Sequence, residues 1–177
     1  MVIREIKPRN RPAFVKGDWI VHAFYGVGRV LGREIKIMEG EENEYLRIKT
    51  NDSYYWLLIE NMNADYIRPL ASLDQINKAL SLIRKQPDML AKDYRIRQKE
   101  IARAVKDVAL EVKICMIRDL TERKREKSLN VSESQTLFKL TTNFLTEWSL
   151  VTGEEIIILE KNLLKALKAR SKKISTW

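Results

Sequence analysis

The chain has 177 residues, 45% of them hydrophobic and 32% charged, with a formal net charge of +9. This length can bury a real core. No apolar run approaches the roughly 20 residues that a spanning helix needs, so no membrane-spanning helix is expected. One cysteine, Cys115, and one histidine, His22, exclude an intrachain disulfide and a multi-cysteine zinc site. The opening stretch, MVIREIKPRNRPAF, has no apolar segment of the secretory kind, and a reducing cytoplasm is the expected setting.

Up to about residue 70 the pattern is strand-like. Val15–Val21 alternates, and a second run covers Val27–Met38, punctuated by Gly28 and Gly32. Glu39-Gly40-Glu41 reads as a hairpin tip. Glu44–Lys49 alternates, Asn51-Asp52-Ser53 is a turn signal, and Tyr54–Ile59 reads as a fourth strand. Short strands joined by tight turns predict a small barrel.

Beyond residue 70 the period becomes helical. Ser72-Leu-Asp-Gln75 predicts a capping box, and Pro87 a helix end. A second helix is expected from near Met89, and Val105, Val108, Val112, Met116 and Leu120 stripe the next segment. Asn130-Val-Ser-Glu133 caps a helix striped by Leu137, Leu140, Phe144, Trp148 and Val151. Thr152-Gly-Glu-Glu155 reads as the start of the last helix. Residues 1–13 and 171–177 read as tails.

Charge is unevenly spread. Residues 17–70 hold six basic and nine acidic groups, residues 71–127 fifteen and nine, and residues 161–177 six and none. A mildly acidic front and a basic rear point to two different partners, because cationic segments attract phosphate by counterion release. No Gly-Lys-Ser/Thr phosphate loop occurs, and His22 and Cys115 lack companions for metal or nucleophilic chemistry. The carboxylate pairs Glu41/Glu42 and Glu154/Glu155 fall at a hairpin tip and a helix start, where solvation and the helix dipole account for them. The chain is expected to be neither an enzyme nor a holder of a cofactor or metal.

Gly17-Asp18-Trp-Ile-Val-His22, Tyr25-Gly26-Val-Gly28-Arg-Val30, Glu44-Tyr45-Leu46, Asn63-Ala-Asp-Tyr66 and Arg68-Pro69 together resemble the CarD/CdnL family of bacterial transcription regulators. The N-terminal domain of that family is shared with the transcription–repair coupling factor. Arg118-Asp119-Leu120 and the Leu129–Glu133 helix start continue the resemblance, which covers roughly residues 14 to 170. It implies an α+β protein: a small Tudor- or SH3-like β-barrel with five strands over residues 14–70, then an all-α helical bundle over 71–170.

The implied partners are the β1 lobe of the RNA polymerase β subunit, for the barrel, and promoter DNA at the upstream edge of the transcription bubble, for the helices. The implied outcome is a stabilised open complex without catalysis. A nucleoid-associated cytoplasmic monomer with no membrane partner is expected.

Residue by residue, the resemblance puts the polymerase contacts on Lys36, Met38, Arg47 and Lys49. Leu58 stands where some members carry an arginine. Ile35, Ile37 and Ile48, in the same strands, also read as plain barrel core. Tyr94 stands where the family carries a minor-groove tryptophan wedge, followed by Arg95, Arg97 and Lys99. Because Leu90, Tyr94, Ile101 and Val105 share one helical face, Tyr94 reads equally as core. Arg123, Lys124 and Arg125 form a second cluster, either a phosphate contact or a solvated turn. Two other functions fit the residues: a basic nucleoid-associated DNA-binding protein, and a protein–protein adaptor with no DNA role.

Overall fold

Glycines, turn residues and β-formers in the first third of the chain build one antiparallel sheet. This is seen in a computed structural model that describes residues 14–38 and 40–169. The strands are β1 (Trp19–His22), β2 (Gly26–Met38), β3 (Glu41–Lys49), β4 (Tyr54–Leu58) and β5 (Ile67–Pro69), ordered β4-β3-β2-β1-β5. The tails at 1–13 and 171–177 and the hairpin-tip residue Glu39 lie outside the described residues.

One expectation for this half needs correcting. Phe14–Asp18 is a turn rather than the start of a strand, held by the Val15 N–H donating to the Asp18 carboxylate at 2.8 Å. The outer strands of the sheet are β4 and β5, which do not pair with each other among the described residues. A 3₁₀ turn over Ile59–Asn63 packs against β3, β4 and β5 instead.

The buried face of the sheet comes from the alternation. Ile20, Val30, Leu46, Ile48, Tyr55, Leu57 and Ile67 point inward with Phe14. Ile35 and Ile37, which read as core, are 66% and 74% exposed. The reason is length: β1 pairs only with residues 26–29 of β2, and β4 only with residues 45–49 of β3. The far halves of β2 and β3 therefore run on as a two-stranded arm, with Ile35 opposite Glu44 and Ile37 opposite Glu42. Among the described residues nothing lies beneath the arm to bury them.

Five helices follow: α1 (Leu73–Ile83), α2 (Tyr94–Lys106), α3 (Leu110–Glu126), α4 (Val131–Thr152) and α5 (Ile156–Ala169). Both capping boxes form. The Ser72 hydroxyl accepts from the Gln75 N–H and the Gln75 side chain from the Ser72 N–H, and Asn130 and Glu133 do the same. The helices share one core that includes Ile76, Ile83, Ile101, Ile114, Ile117, Leu120, Phe144, Trp148, Leu159 and Leu163.

Helix ends depart from the sequence reading. Helix α1 stops at Ile83, before Pro87, and α2 starts at Tyr94, capped by the Asp93 carboxylate on the Ile96 N–H, rather than near Met89. The intervening loop is pinned by a buried pair. Arg118 donates to Asp119 at 2.7 Å and to Asp88 at 2.8 Å, and the Asp88 N–H donates to Asp119 at 3.0 Å. Thr152 closes α4 before the left-handed Gly153 (φ 74°), and α5 starts only at Ile156. Among the described residues no helix is long and apolar enough to cross a membrane.

The two halves meet through polar contacts. The Glu147 carboxylate, only 3% exposed, accepts both Nη groups of Arg68, at 2.5 and 2.7 Å, and the Ala71 N–H at 2.9 Å. Arg68 Nε donates to the Val108 carbonyl at 2.8 Å. Lys113 of α3 reaches the Ala23 carbonyl at 3.3 Å, and burial lowers its pKa to about 8. Gly26 (φ 74°) lies so close to α4 that an added Cβ would sit 2.5 Å from Asn143 Oδ1.

Beside this joint lies His22. Its Nδ1 accepts the N–H of Phe24 at 3.0 Å and, more weakly, of Tyr25 at 3.4 Å, so the ring is neutral. Burial, helped by the Lys113 charge, lowers its pKa from 6.5 to about 4.

Two predictions follow from these buried groups. Glu147→Gln removes the charge that compensates Arg68. It should cost about 3 kcal/mol, lowering the melting temperature by roughly 6–12 °C in a thermal scan. For His22 the folded pKa lies below the unfolded one. Its contribution is complete above pH 6.5 and falls away as pH drops towards 4. Melting temperature should therefore decline from pH 6.5 to about 5, and His22→Asn, which keeps an acceptor but cannot titrate, should flatten that decline.

Candidate functional site

Two surfaces carry the polar side chains that no core explains. The first is the outer face of the sheet. The Thr50–Ser53 turn, closed by the Thr50 N–H donating to the Ser53 carbonyl at 2.9 Å, fixes the β3–β4 register. Arg47 then falls opposite Trp56 and Lys49 opposite Tyr54. On the other side Arg47 pairs with Gly32, just past an irregularity between Val30 and Gly32. That register puts Glu34 and Lys36 of β2 on the same face as Arg47 and Trp56.

The side chains interlock there. Lys36 Nζ sits 3.1 Å from the Trp56 ring centroid. The Trp56 indole N–H donates to Glu34 at 2.7 Å, and Arg47 donates to the other Glu34 oxygen at 3.1 Å. Arg47 and Lys49 lie 5.0 and 5.8 Å from the Tyr54 ring. The hydrogen bond from Trp56, followed by Arg47, holds the Glu34 carboxyl below the usual carboxylate range. The result is a stacked set of cations and aromatic rings, open to solvent, with Trp56 40% and Tyr54 46% exposed.

Lys36, Arg47 and Lys49 are thus brought together. The Met38 backbone pairs with Glu41, and its side chain lies outside the described residues. Trp56, Tyr54 and Glu34 belong to this surface but were not singled out from the sequence. Counting register back from the Asn51–Ser53 turn would have found the first two. Of the two stretches, Arg47–Lys49 is paired on both sides, whereas among the described residues Ile35–Met38 of β2 is paired only with β3.

The second surface is α2. Tyr94 opens the helix and is 56% exposed, so its core reading does not hold. Arg95 and Lys99 are exposed and carry no ion pair among the described residues. Arg97 is a correction. It is 5% exposed, its Nε donates to Glu133 at 2.6 Å, and its Nη1 donates to the Ala91 and Lys92 carbonyls at 2.7 and 2.9 Å. One turn inside the helix, it points inward with Ile101 and Ala104, and its Nε and Nη1 groups are engaged within the protein.

Glu133 is likewise buried. Burial opposes its ionisation, but hydrogen bonds from Arg97, from the Asn130 N–H and from Arg123 outweigh that and keep its pKa low.

The 123–125 cluster divides in the same way. Arg123 donates to Glu133 at 3.3 Å. Arg125 donates to Glu122 at 3.0 Å and to the Leu167 carbonyl at 2.9 Å, capping α5. Lys124 is exposed. The outward stripe of α2 is instead continued by Arg103 and Lys106, both exposed. Residues 95, 99 and 106 fall on one helical face and 103 beside them, a spacing visible in the sequence.

The structure thus joins a small antiparallel sheet with a cation–aromatic outer face to helices that carry a basic stripe. Residues 14–80 match the family model of the CarD-like/TRCF RID domain, and this part of the chain is such a domain. The chain is accordingly transcription-related, with a domain of the kind that interacts with RNA polymerase. The match runs past the sheet through most of α1.

Buried and exposed arginines of α2 should separate in a stability measurement. Arg97→Ala leaves Glu133 facing only the more distant Arg123 and should cost about 3 kcal/mol in urea unfolding. Arg95→Ala should stay within roughly 0.5 kcal/mol of the parent.

Proposed function

We propose that this chain is a non-catalytic transcription regulator that bridges RNA polymerase and promoter DNA. The outer face of the sheet, with Lys36, Arg47, Lys49, Tyr54 and Trp56, holds the β1 lobe of the polymerase β subunit. The free edge of β2 offers main-chain hydrogen bonds to the same partner. Helix α2 lays Arg95, Lys99, Arg103 and Lys106 along the DNA backbone at the upstream edge of the bubble, with Tyr94 at its leading end as a wedge. Holding the two partners together stabilises the open complex, because whatever binds one state better shifts the equilibrium towards it.

The observation that carries the reading is the separation of two cationic surfaces. One is threaded with aromatic rings on a CarD-like/TRCF RID domain. The other is a bare stripe on a helix whose inward arginine is already paired.

Tyrosine in place of tryptophan gives the wedge a smaller stacking face. Its contribution to open-complex lifetime is correspondingly modest.

Capture of the isolated β1 lobe by the full chain should be lost on Trp56→Ala combined with Lys36→Glu, while helical circular dichroism is retained. Unaltered capture would remove the sheet face from the mechanism. Arg95→Glu with Lys99→Glu should weaken duplex DNA binding about tenfold or more and reduce the slope of log K against log salt by about two. The same pair should shorten open-complex lifetime. No effect on either would leave an adaptor without a DNA role, and DNA binding with no β1-lobe capture would leave a nucleoid-associated protein.

A further inference from the structure

Where the sheet meets the end of α2 there is an open groove of about 550 Å³. It is lined by Phe24, Asp65, Tyr66, Arg103, Lys106 and Asp107. Two of these are aromatic rings from the sheet half, and two are cations from the helix assigned above to DNA. Phe24 is 40% exposed although it is a large apolar ring. It is also held in place. Its N–H donates to His22 Nδ1 at 3.0 Å, and the His22 ring lies 5.9 Å from Phe24 and 5.1 Å from Tyr66. Asp107 is already engaged, accepting the Ala109 N–H at 2.8 Å. Asp65 is exposed and supplies an acceptor at the rim.

We propose that this groove takes an unpaired nucleotide of a melted DNA strand. The base lies on Phe24 and Tyr66, and its phosphate lies against Arg103 and Lys106. Aromatic platforms beside a cationic track are what single strands need, because only an unstacked base has a free face to offer. A duplex presents phosphates but no such face, so Phe24 and Tyr66 add nothing to duplex binding. The carboxylate of Asp65 accepts from an exocyclic amine of the base. From Tyr94 to Lys106 the helix is about 18 Å long, so a strand leaving the duplex near Tyr94 reaches the groove within roughly five nucleotides. The inference rests on the reading of α2 as the DNA-facing helix, and adds a preference for DNA that is already open.

The test uses the full chain with two DNAs in fluorescence anisotropy: a duplex of about 20 base pairs, and the same duplex with an overhang of about eight nucleotides. The overhang carries 2-aminopurine, a base with an exocyclic amine whose emission falls when it stacks, at about its fifth position. The expected result is binding of the overhang DNA about fivefold or more tighter than the blunt duplex, with quenched emission.

Phe24→Leu, which keeps an apolar side chain but removes the ring face, should abolish the quench and the preference while leaving blunt-duplex affinity unchanged. Arg103→Glu with Lys106→Glu should also abolish the preference. Equal affinity for the two DNAs, with no quench by the parent protein, overturns the groove while leaving the duplex contact standing. Absence of binding to either DNA overturns both. The comparison within the parent protein decides the matter even if a variant folds poorly.

Discussion

The arrangement depends on one buried carboxylate. Glu147, in the C-terminal half of α4, takes both Nη groups of Arg68 and the Ala71 N–H, so it grips the chain at the point where strand gives way to helix. A buried ion pair of this kind contributes modest net stability, because both partners lose their hydration. Breaking it is expensive, because the survivor stays buried and charged. Its effect is geometric. With Arg68 Nε on the Val108 carbonyl and Lys113 on Ala23, it fixes the direction in which the sheet faces relative to α2.

The same economy governs the arginines of the helical half. A surplus of cations in residues 71–127 looks like a single property in the sequence, but the structure uses those charges in two ways. Arg97, Arg118 and Arg123 are drawn into networks with Glu133, Asp119 and Asp88, which fasten the loop before α2 and the start of α4. Planar guanidinium groups suit this, since several donors can be satisfied at once. Arg95, Lys99, Arg103 and Lys106 are left outside. The exposed basic stripe made by these four is narrower than the total charge suggests, and its far end, Arg103 and Lys106, lies beside the sheet.

That placement links the two surfaces. The cation–aromatic face of the sheet and the basic stripe of α2 are held in one frame by the Glu147 joint. The groove between Phe24, Tyr66, Arg103 and Lys106 is lined by residues of both halves. Under the bridging function proposed above, such a joint matters because slack between the halves would dissipate the coupling between the partners.

Much of this was written in local sequence. The alternation that buries Leu46 and Ile48, the turn at Asn51–Ser53 and the capping boxes at Ser72 and Asn130 are short-range matters of period and hydrogen bonding, so they could be read residue by residue. So could the cationic character of the helical half and the motifs shared with the CarD-like/TRCF RID domain. Strand β5, three residues ending in proline, carries no period of its own and exists because β1 offers it an edge. The exposure of Ile35 and Ile37 was decided by where neighbouring strands stop, and the burial of Arg97 by Glu133, thirty-six residues away. Trp56 joined Lys36 through register, and Phe24 met Arg103 through the joint. Which residues repeat, turn or cap is set by their immediate neighbours. Which charges and rings are left for a partner is set by distant contacts, and those are made only when the chain has packed.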